Sequence, residues 1–401
     1  MQQADQKENG VSGGRSAPPP GADKTGFLGT GRLDYLDNLR ASLTALVICH
    51  HCNAAYGSPG GWVYIVHESG GPVTEVLTTM FAGITQAFFM SSFFLISAYF
   101  TAPGYDRKGP WRFMRRRLMR LGIPLLAYYY VLSLILRYMI YCFRGRTELG
   151  FFEFFTTYFG KITSPGPLWF AFALLVFEAV YVGFRLVADR VGKGPRAYPF
   201  PGDMAIFLFI VAAGAIAFLV RLWQPLTEGF YHMRLGYFTL YVFMFSFGIL
   251  AYRSGWFENM PVRQANRWFY VSLGAIAVMP VILAGAGLLG YDAYDFWGGW
   301  NLRSYLYAAW EPFLCVGINM KLVQLYRDRF NKSTPFTKRM AKSSFTAYIS
   351  HAYFIVVPTY LFTFFSLGRI PEILLMWPVA VIPCFLAADG IRRLPLLRRI
   401  L

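Results

Sequence analysis

The sequence predicts an all-α integral membrane protein, a polytopic bundle of about ten transmembrane helices. Of its 401 residues, 56% are apolar and only 15% are charged, whereas about a quarter of the residues in soluble domains are charged. The mean hydropathy is +0.40. Apolar stretches also recur along the chain at the length of a membrane span, which is about 20 mostly apolar residues.

A polar segment precedes the apolar stretches. Residues 1–31 are rich in Gln, Gly, Pro and Lys. Such a segment cannot bury enough apolar surface to fold alone, so we predict a disordered tail. The remainder, 32–401, is predicted to form one transmembrane domain. Its spans are expected at 36–56, 77–100, 118–141, 167–187, 203–222, 236–253, 268–290, 303–325, 343–366 and 373–391.

The basic residues predict the orientation of these spans. With a cytosolic N-terminus, about 30 of the 38 Lys and Arg residues fall on the cytosolic side, for example in a predicted loop at 101–117. The positive-inside rule therefore predicts that both termini are cytosolic. The net charge of +17 sits in these loops and does not indicate nucleic-acid binding. The sequence leaves open the oligomeric state and whether the bilayer is a bacterial inner membrane or a eukaryotic endomembrane.

Two adjacent histidines, His50 and His51, lie near the far end of the first predicted span. Ionisable side chains within a span are costly unless they face a cavity or a partner. Neighbouring residues of an α-helix point about 100° apart, so we expect one ring to face a cavity and the other a packing surface. A neutral imidazole there can act as a general base on a hydroxyl. It can equally be a core histidine bonded to a neighbouring carbonyl.

Cysteines flank this histidine pair, which raises the question of a metal site. Cys49 and Cys52 share one helix face, but a closed zinc site takes four ligands, usually from more than one segment. The sequence contains no second Cys/His cluster. No metal is therefore predicted.

Three arginines are candidates for binding an anion. Arg40 lies eleven residues before His51, roughly 16 Å along the helix axis. Arg117 and Arg120 are three residues apart and share one face of the third predicted span. Two guanidiniums on one face suit a phosphate, although an ordinary basic flank of a span has the same composition.

Three further ionisable residues fall inside predicted spans. His351 lies about eight residues into the ninth span and, taken alone, is more typical of a structural histidine. Glu178 and Glu311 fall near mid-span, where each can orient a histidine, bind a substrate amine or stay neutral and hydrogen-bonded. The residues favour none of these alternatives.

Five segments of the sequence share one further property, their order and spacing. They are Leu36-Asp37-Asn38-Leu39-Arg40 with His51, the apolar run at 88–100, Arg117-Leu-Met-Arg120-Leu-Gly-Ile-Pro124, Gly166-Pro-Leu-Trp169-Phe and Tyr348-Ile-Ser-His351. Together they resemble acyltransferase family 3, a family of integral membrane acyltransferases, and are nearest to its glucan-modifying branch. Ala98 departs from the resemblance, because the family usually has a glycine there.

The resemblance implies an acyl-CoA-dependent O-acyltransferase with no bound cofactor. It implies that acyl-CoA, often acetyl-CoA, is the co-substrate and that a hydroxyl of the acceptor receives the acyl group. By resemblance His51 and His351 are the catalytic histidines. Arg117 and Arg120, with Arg40, are the residues expected to contact CoA.

The expected chemistry uses neutral His51 as a general base while the acceptor oxygen attacks the thioester; a transient acyl-histidine is an alternative. We expect one internal passage to join the arginines to His51. The acceptor stays open among a carbohydrate, a lipid-linked molecule and a small natural product. A transporter of a small solute is a second function class, because buried ionisable residues and helices interrupted by Gly and Pro also suit a solute pathway.

Overall fold

The computed structural model describes residues 33–400 except 67–70, 193, 195, 228, 230–232, 333, 366, 396 and 399. The tail predicted to be disordered, 1–31, lies outside the described residues. Within the described part of the chain the regular elements are all helices, which confirms the all-α prediction.

The helices follow one another along the chain with short connections. They are α1 Asp34–Ala55, α2 Gly71–Arg117, α3 Ile123–Ala127, α4 Ser133–Phe143, α5 Phe151–Tyr158, α6 Trp169–Arg190, α7 Asp203–Trp223, α8 Phe238–Ser254, α9 Trp256–Asn259, α10 Val262–Leu288, α11 Leu302–Arg329, α12 Pro335–Phe362 and α13 Arg369–Ile391. Two π-helical segments, Leu118–Gly122 and Tyr128–Leu132, join α2, α3 and α4 into one continuous stretch.

Seven helical stretches of the described residues are long and apolar enough to cross a membrane. They confirm a multi-pass integral membrane protein. One of them, Gly71–Phe143, contains two of the predicted spans. α1 and α11 also coincide with predicted spans, but neither is among the seven. Polar and ionisable side chains dilute both helices.

The segment 101–117 is helical, so the prediction of a loop there was wrong. α2 breaks only at Gly109, whose φ of 71° and ψ of 168° lie outside the helical region. Glycine adopts a positive φ without the steric penalty that a Cβ brings. Pro110 follows at once and restarts the helix. A single glycine thus makes the turn that a longer loop was expected to make.

α1 lies in the centre of the bundle, where it packs against α2, α11, α12 and α13. At the start of α1, the Asn38 side-chain amide donates to the backbone carbonyls of Phe330 and Lys332 at 2.9 and 3.2 Å. We call the end of the bundle that contains the start of α1 the basic end. At the opposite end, Arg369 from the start of α13 pairs with Glu75 near the start of α2. We call that the aromatic end.

A glycine in α8 allows that helix to lie directly against α2. A Cβ added at Gly248 would be 2.2 Å from the carbonyl oxygen of Leu95 and 2.7 Å from the Cβ of Ala98. Both distances are far below normal contact. The close approach is therefore retained here although Ala98 replaces the glycine usual in the resembled family.

We expect Gly248→Ala to destabilise the bundle by about 1–3 kcal/mol, because overpacking forces the two backbones apart. Thermal or denaturant unfolding in detergent measures the change. Gly274→Ala is the matched control, since a Cβ at that position in α10 meets no neighbouring atom within 4 Å. Equal stability of the two variants would contradict the assigned close contact.

Candidate active site

The bundle brings together two histidines that are 300 residues apart in the chain. Nδ1 of His51, on α1, lies 3.0 Å from Nε2 of His351, on α12. His351 is completely buried, and His51 is partly exposed. We call these two residues the histidine pair.

The hydrogen bonds of the histidine pair define its tautomers. Nδ1 of His351 lies 2.7 Å from the carbonyl oxygen of Tyr348, which can only accept, so that nitrogen carries a proton. Nε2 of neutral His351 is then an acceptor, and Nδ1 of His51 donates to it. This assignment leaves Nε2 of His51 unprotonated. The chain of hydrogen bonds can therefore stabilise a proton that arrives at Nε2 of His51.

Trp62 covers the histidine pair from the loop that follows α1. Its ring stacks on His51 with centroids 4.3 Å apart and lies 5.9 Å from the ring of His351. An aromatic face attracts a cation placed above it. A protonated His51 would thus be stabilised by Trp62 as well as by His351.

His50 contacts α2. Its Nδ1 lies 2.7 Å from the hydroxyl oxygen of Thr85, and that hydroxyl donates in turn to the carbonyl of Phe81. Both His50 and His51 line the same cavity, so the expected division between a cavity ring and a packing ring does not hold. Among the described residues, no group of three or more His, Cys, Asp or Glu side chains is placed to bind a metal ion.

The cavity beside the histidine pair opens among the loops of the aromatic end and encloses about 390 Å³. We call it the aromatic cavity. Sites for small ligands have volumes of about 300–1,000 Å³, aromatic walls and a few polar groups. Besides His50 and His51, its aromatic and polar lining includes Trp62, Gln86, Tyr128, Ser164, Trp169, Arg234, Tyr237, Tyr241, Phe296, Trp297, Tyr307 and Trp310.

Arg234 is the cationic side chain of the aromatic cavity among the residues described, and it was not selected from the sequence. Its guanidinium lies over the ring of Trp297, 5.0 Å from the centroid. Trp62 was missed as well. Both residues lie in loops between spans, where a single Arg or Trp is typical of any membrane interface. Only the folded arrangement distinguishes them.

The three arginines expected to contact CoA lie at the basic end. The guanidinium of Arg120 is exposed and is repelled by Arg40 and Arg117 and attracted by Asp37. Arg40 pairs with Asp37. We call Arg40, Arg117 and Arg120 the arginine cluster. None of the three lines the aromatic cavity, so the expected continuous passage is not open in this structure.

Arg117 is held by a buried acid. Its Nε lies 2.9 Å from Oε1 of Glu178, which is completely buried, and its Nη2 lies 3.3 Å from the hydroxyl of Thr101. A guanidinium has five N–H donors, so Arg117 keeps donors for an anion. The pair also joins the end of α2 to α6.

The second buried acid, Glu311 on α11, pairs with Arg221 at the end of α7. Both side chains are buried, and Nε of Arg221 donates to the carbonyl of Gly236 at 3.2 Å. Within the part of the chain that the structure describes, neither Glu178 nor Glu311 is bonded to a histidine. The alternatives considered from the sequence did not include an arginine partner, because each partner lies on a different helix.

Comparison with known families decides the class of protein. A family model described as an acyltransferase domain matches residues 33–389, which is most of the chain. The chain belongs to this acyltransferase family. The match begins at the start of α1 and includes the histidine pair and the whole arginine cluster, so the candidate site lies within the family domain.

Relatives of the chain include proteins named glucans biosynthesis protein C. Those of Salmonella heidelberg (strain SL476) and Salmonella enteritidis PT4 (strain P125109) are 28% identical to it, and that of Salmonella schwarzengrund (strain CVM19633) is 27% identical, each over 229 residues. Each match covers 54% of this chain and 58% of the relative, which is less than two thirds of its length. No solved structure matches the chain.

Proposed function

We propose that this acyltransferase moves an acyl group, acetyl in the simplest case, from acyl-CoA to a hydroxyl of an acceptor bound in the aromatic cavity. The observation that carries the proposal is the hydrogen bond between His51, which lines that cavity, and the buried His351 behind it. The donor enters from the cytosol and the acceptor occupies the opposite end of the bundle. The membrane domain then has ten spans and both termini in the cytosol, as the basic loops favour.

Proton transfer in this mechanism begins at Nε2 of His51. This nitrogen removes the acceptor hydroxyl proton while the oxygen attacks the thioester carbonyl. The tetrahedral intermediate collapses, the C–S bond breaks, and the CoA thiolate takes the proton from the His51 imidazolium. The hydrogen bond to His351 and the face of Trp62 stabilise that imidazolium while it exists.

The donor is proposed from charge and from family membership. CoA carries several phosphate charges, and the arginine cluster offers guanidiniums at the basic end. Arg40 of the cluster and His51 are roughly 16 Å apart along α1, a separation suited to the long pantetheine arm of CoA. Because none of the three arginines lines the aromatic cavity, side chains between the two sites must move to admit the thioester.

The acceptor class is proposed from the lining of the aromatic cavity. Tryptophan and tyrosine faces, with Arg234 and Gln86, offer broad apolar surfaces and a few fixed polar contacts. This combination suits one or two sugar rings bearing free hydroxyls. The relatives named for glucan biosynthesis favour a carbohydrate over the lipid-linked and small natural-product alternatives.

The decisive assay uses the purified chain in detergent with acetyl-CoA and a panel of oligosaccharides. We expect free CoA to appear only when an acceptor is present, together with an acylated product detected by mass spectrometry. The same chain reconstituted in liposomes tests the transporter alternative. Solute uptake without any acyl donor, and no release of CoA with any acceptor, would contradict the proposal.

We expect Arg120→Ala to raise the KM for acetyl-CoA by roughly tenfold to a hundredfold with a smaller effect on kcat, since a hydrogen bond to a charged group contributes about 1.5–3 kcal/mol. Steady-state kinetics at saturating acceptor measure both constants. Arg112→Ala is the matched control, because Arg112 is also exposed near the end of α2. If the donor KM of Arg120→Ala is unchanged, Arg120 does not bind CoA and serves only to orient the span by the positive-inside rule.

A further inference from the structure

The basic end of the bundle carries a second cationic site, a pocket that none of the arginine cluster lines. It lies between the start of α12 and the end of α13 and encloses about 460 Å³. We call it the basic pocket. Its cationic lining consists of Lys338, Arg339, Lys342, Arg392, Arg393 and Arg398.

The charges around the basic pocket are poorly balanced. Asp389 pairs with Arg392 and Arg393 at one edge. The other four cations make no ion pair with the described residues. Counted over the described residues, six positive charges and one negative charge leave a net charge of +5 around this concavity. Like charges this close repel one another unless an anion lies between them.

The placement of the cations on α12 is also unfavourable for the helix itself. Lys338, Arg339 and Lys342 occupy the first turns of α12, which begins at Pro335. The start of a helix carries a partial positive charge and favours acids there. Lys338 and Lys342 are four residues apart, so they face each other on one side of the helix and repel. A bound anion would offset both costs.

An orientation signal does not account for this arrangement. The positive-inside rule explains on which side of the membrane the cations lie, but not their convergence on one pocket. Arg112, Arg115 and Arg116 show the contrast, because they are exposed near the end of α2 and line none of this pocket.

We propose that the basic pocket binds a ligand bearing two or more phosphate charges. Lysine and arginine are the side chains that proteins use for phosphate. Two sources have this chemistry: the nucleotide portion of a coenzyme A molecule and the headgroup of an anionic phospholipid at the cytosolic surface. Only the nucleotide source rests on the proposed acyl-CoA donor; the lipid source is independent of it.

The test measures binding to the full chain in phosphatidylcholine nanodiscs. One arm titrates adenosine 3′,5′-bisphosphate. The other arm compares nanodiscs with and without phosphatidic acid by the thermal stability of the protein. The pocket variant is Lys338→Gln/Arg339→Gln/Lys342→Gln. The matched control, Arg112→Gln/Arg115→Gln/Arg116→Gln, removes the same charge from the same end of the bundle.

We expect wild-type protein to respond in one arm, and that arm identifies the source. The pocket variant should bind the bisphosphate roughly 100-fold more weakly, or lose the thermal stabilisation by phosphatidic acid, because each cation near an anionic surface contributes a factor of about five. The control should change it by about twofold or less. No response in either arm, or equal losses in the two variants, would overturn the proposal. If the protein binds the lipid here and releases no CoA in the acyl-transfer assay, the anion-binding role of the basic pocket stands and the proposed acyl-CoA donor is rejected.

Discussion

Replacing His51 with alanine should lower the rate of acyl transfer by about 10²–10⁴-fold, the usual contribution of a positioned general base. The variant should still insert and fold, since His51 is partly exposed at the cavity wall and its removal leaves no buried charge. The measurement is kcat from the release of CoA thiol at saturating donor and acceptor. Elution as a single species from size exclusion verifies that the variant is folded.

His50→Asn is the matched control for His51→Ala. His50 lines the same cavity and donates to Thr85, but it has no contact with His351 comparable to that of His51. We expect it to retain most of the turnover. If His50→Asn abolished the reaction and His51→Ala did not, the base would be the other imidazole.

The relay through His351 makes a separate prediction of non-additivity. In the proposed mechanism His351 acts only through His51, so His351→Ala should slow the reaction of the wild-type chain yet have little further effect once His51 is alanine. The rates of the two single variants and the double variant complete the cycle. Losses that simply multiply would remove His351 from the proton pathway and leave it a structural residue.

Membrane insertion and the positions of the helices were predictable from the sequence because lipid demands long apolar stretches with internally bonded backbones. α7 and α8 coincide closely with the spans predicted at 203–222 and 236–253. The loop at 101–117 was mispredicted, because its arginines masked a helix that a single glycine interrupts. The charge composition of a segment indicates on which side of the membrane it lies, but not whether its backbone is a helix or a loop.

Of the candidate site, the sequence allowed His51 to be selected but did not identify its hydrogen-bond partner. A histidine within a span is unusual by itself, so His51 could be selected from its position. The identity of its partner depends on the packing of α1 against α12, which joins residues 300 positions apart. The same holds for Glu311, whose partner Arg221 terminates another helix. Pairings of this kind depend on how the helices pack against one another, and that packing cannot be derived from a single sequence.

The pairing of Glu311 with Arg221 predicts the largest effect on stability. Glu311→Ala should lower the free energy of unfolding by about 3–5 kcal/mol, because it leaves a guanidinium that is 1% exposed without its counter-charge. Denaturant unfolding in detergent measures it. Arg267→Gln is the matched control, since its pair with Asp203 is exposed and such pairs contribute about 1 kcal/mol or less. Equal effects of the two variants would contradict a buried, charged pair.

A double variant separates the structural role of this pair from its effect on the aromatic cavity. Arg221→Met/Glu311→Leu should regain most of the lost stability, because apolar side chains of similar size often replace a buried ion pair without cost. Activity should not return with it. Arg221 lies under the rings of Tyr237 and Tyr307, 5.5 and 5.2 Å from their centroids, and both rings line the cavity. Without the guanidinium these rings lose their fixed positions, so the acceptor KM should rise while the donor KM stays unchanged. Recovery of both stability and acceptor KM would limit the pair to a packing role.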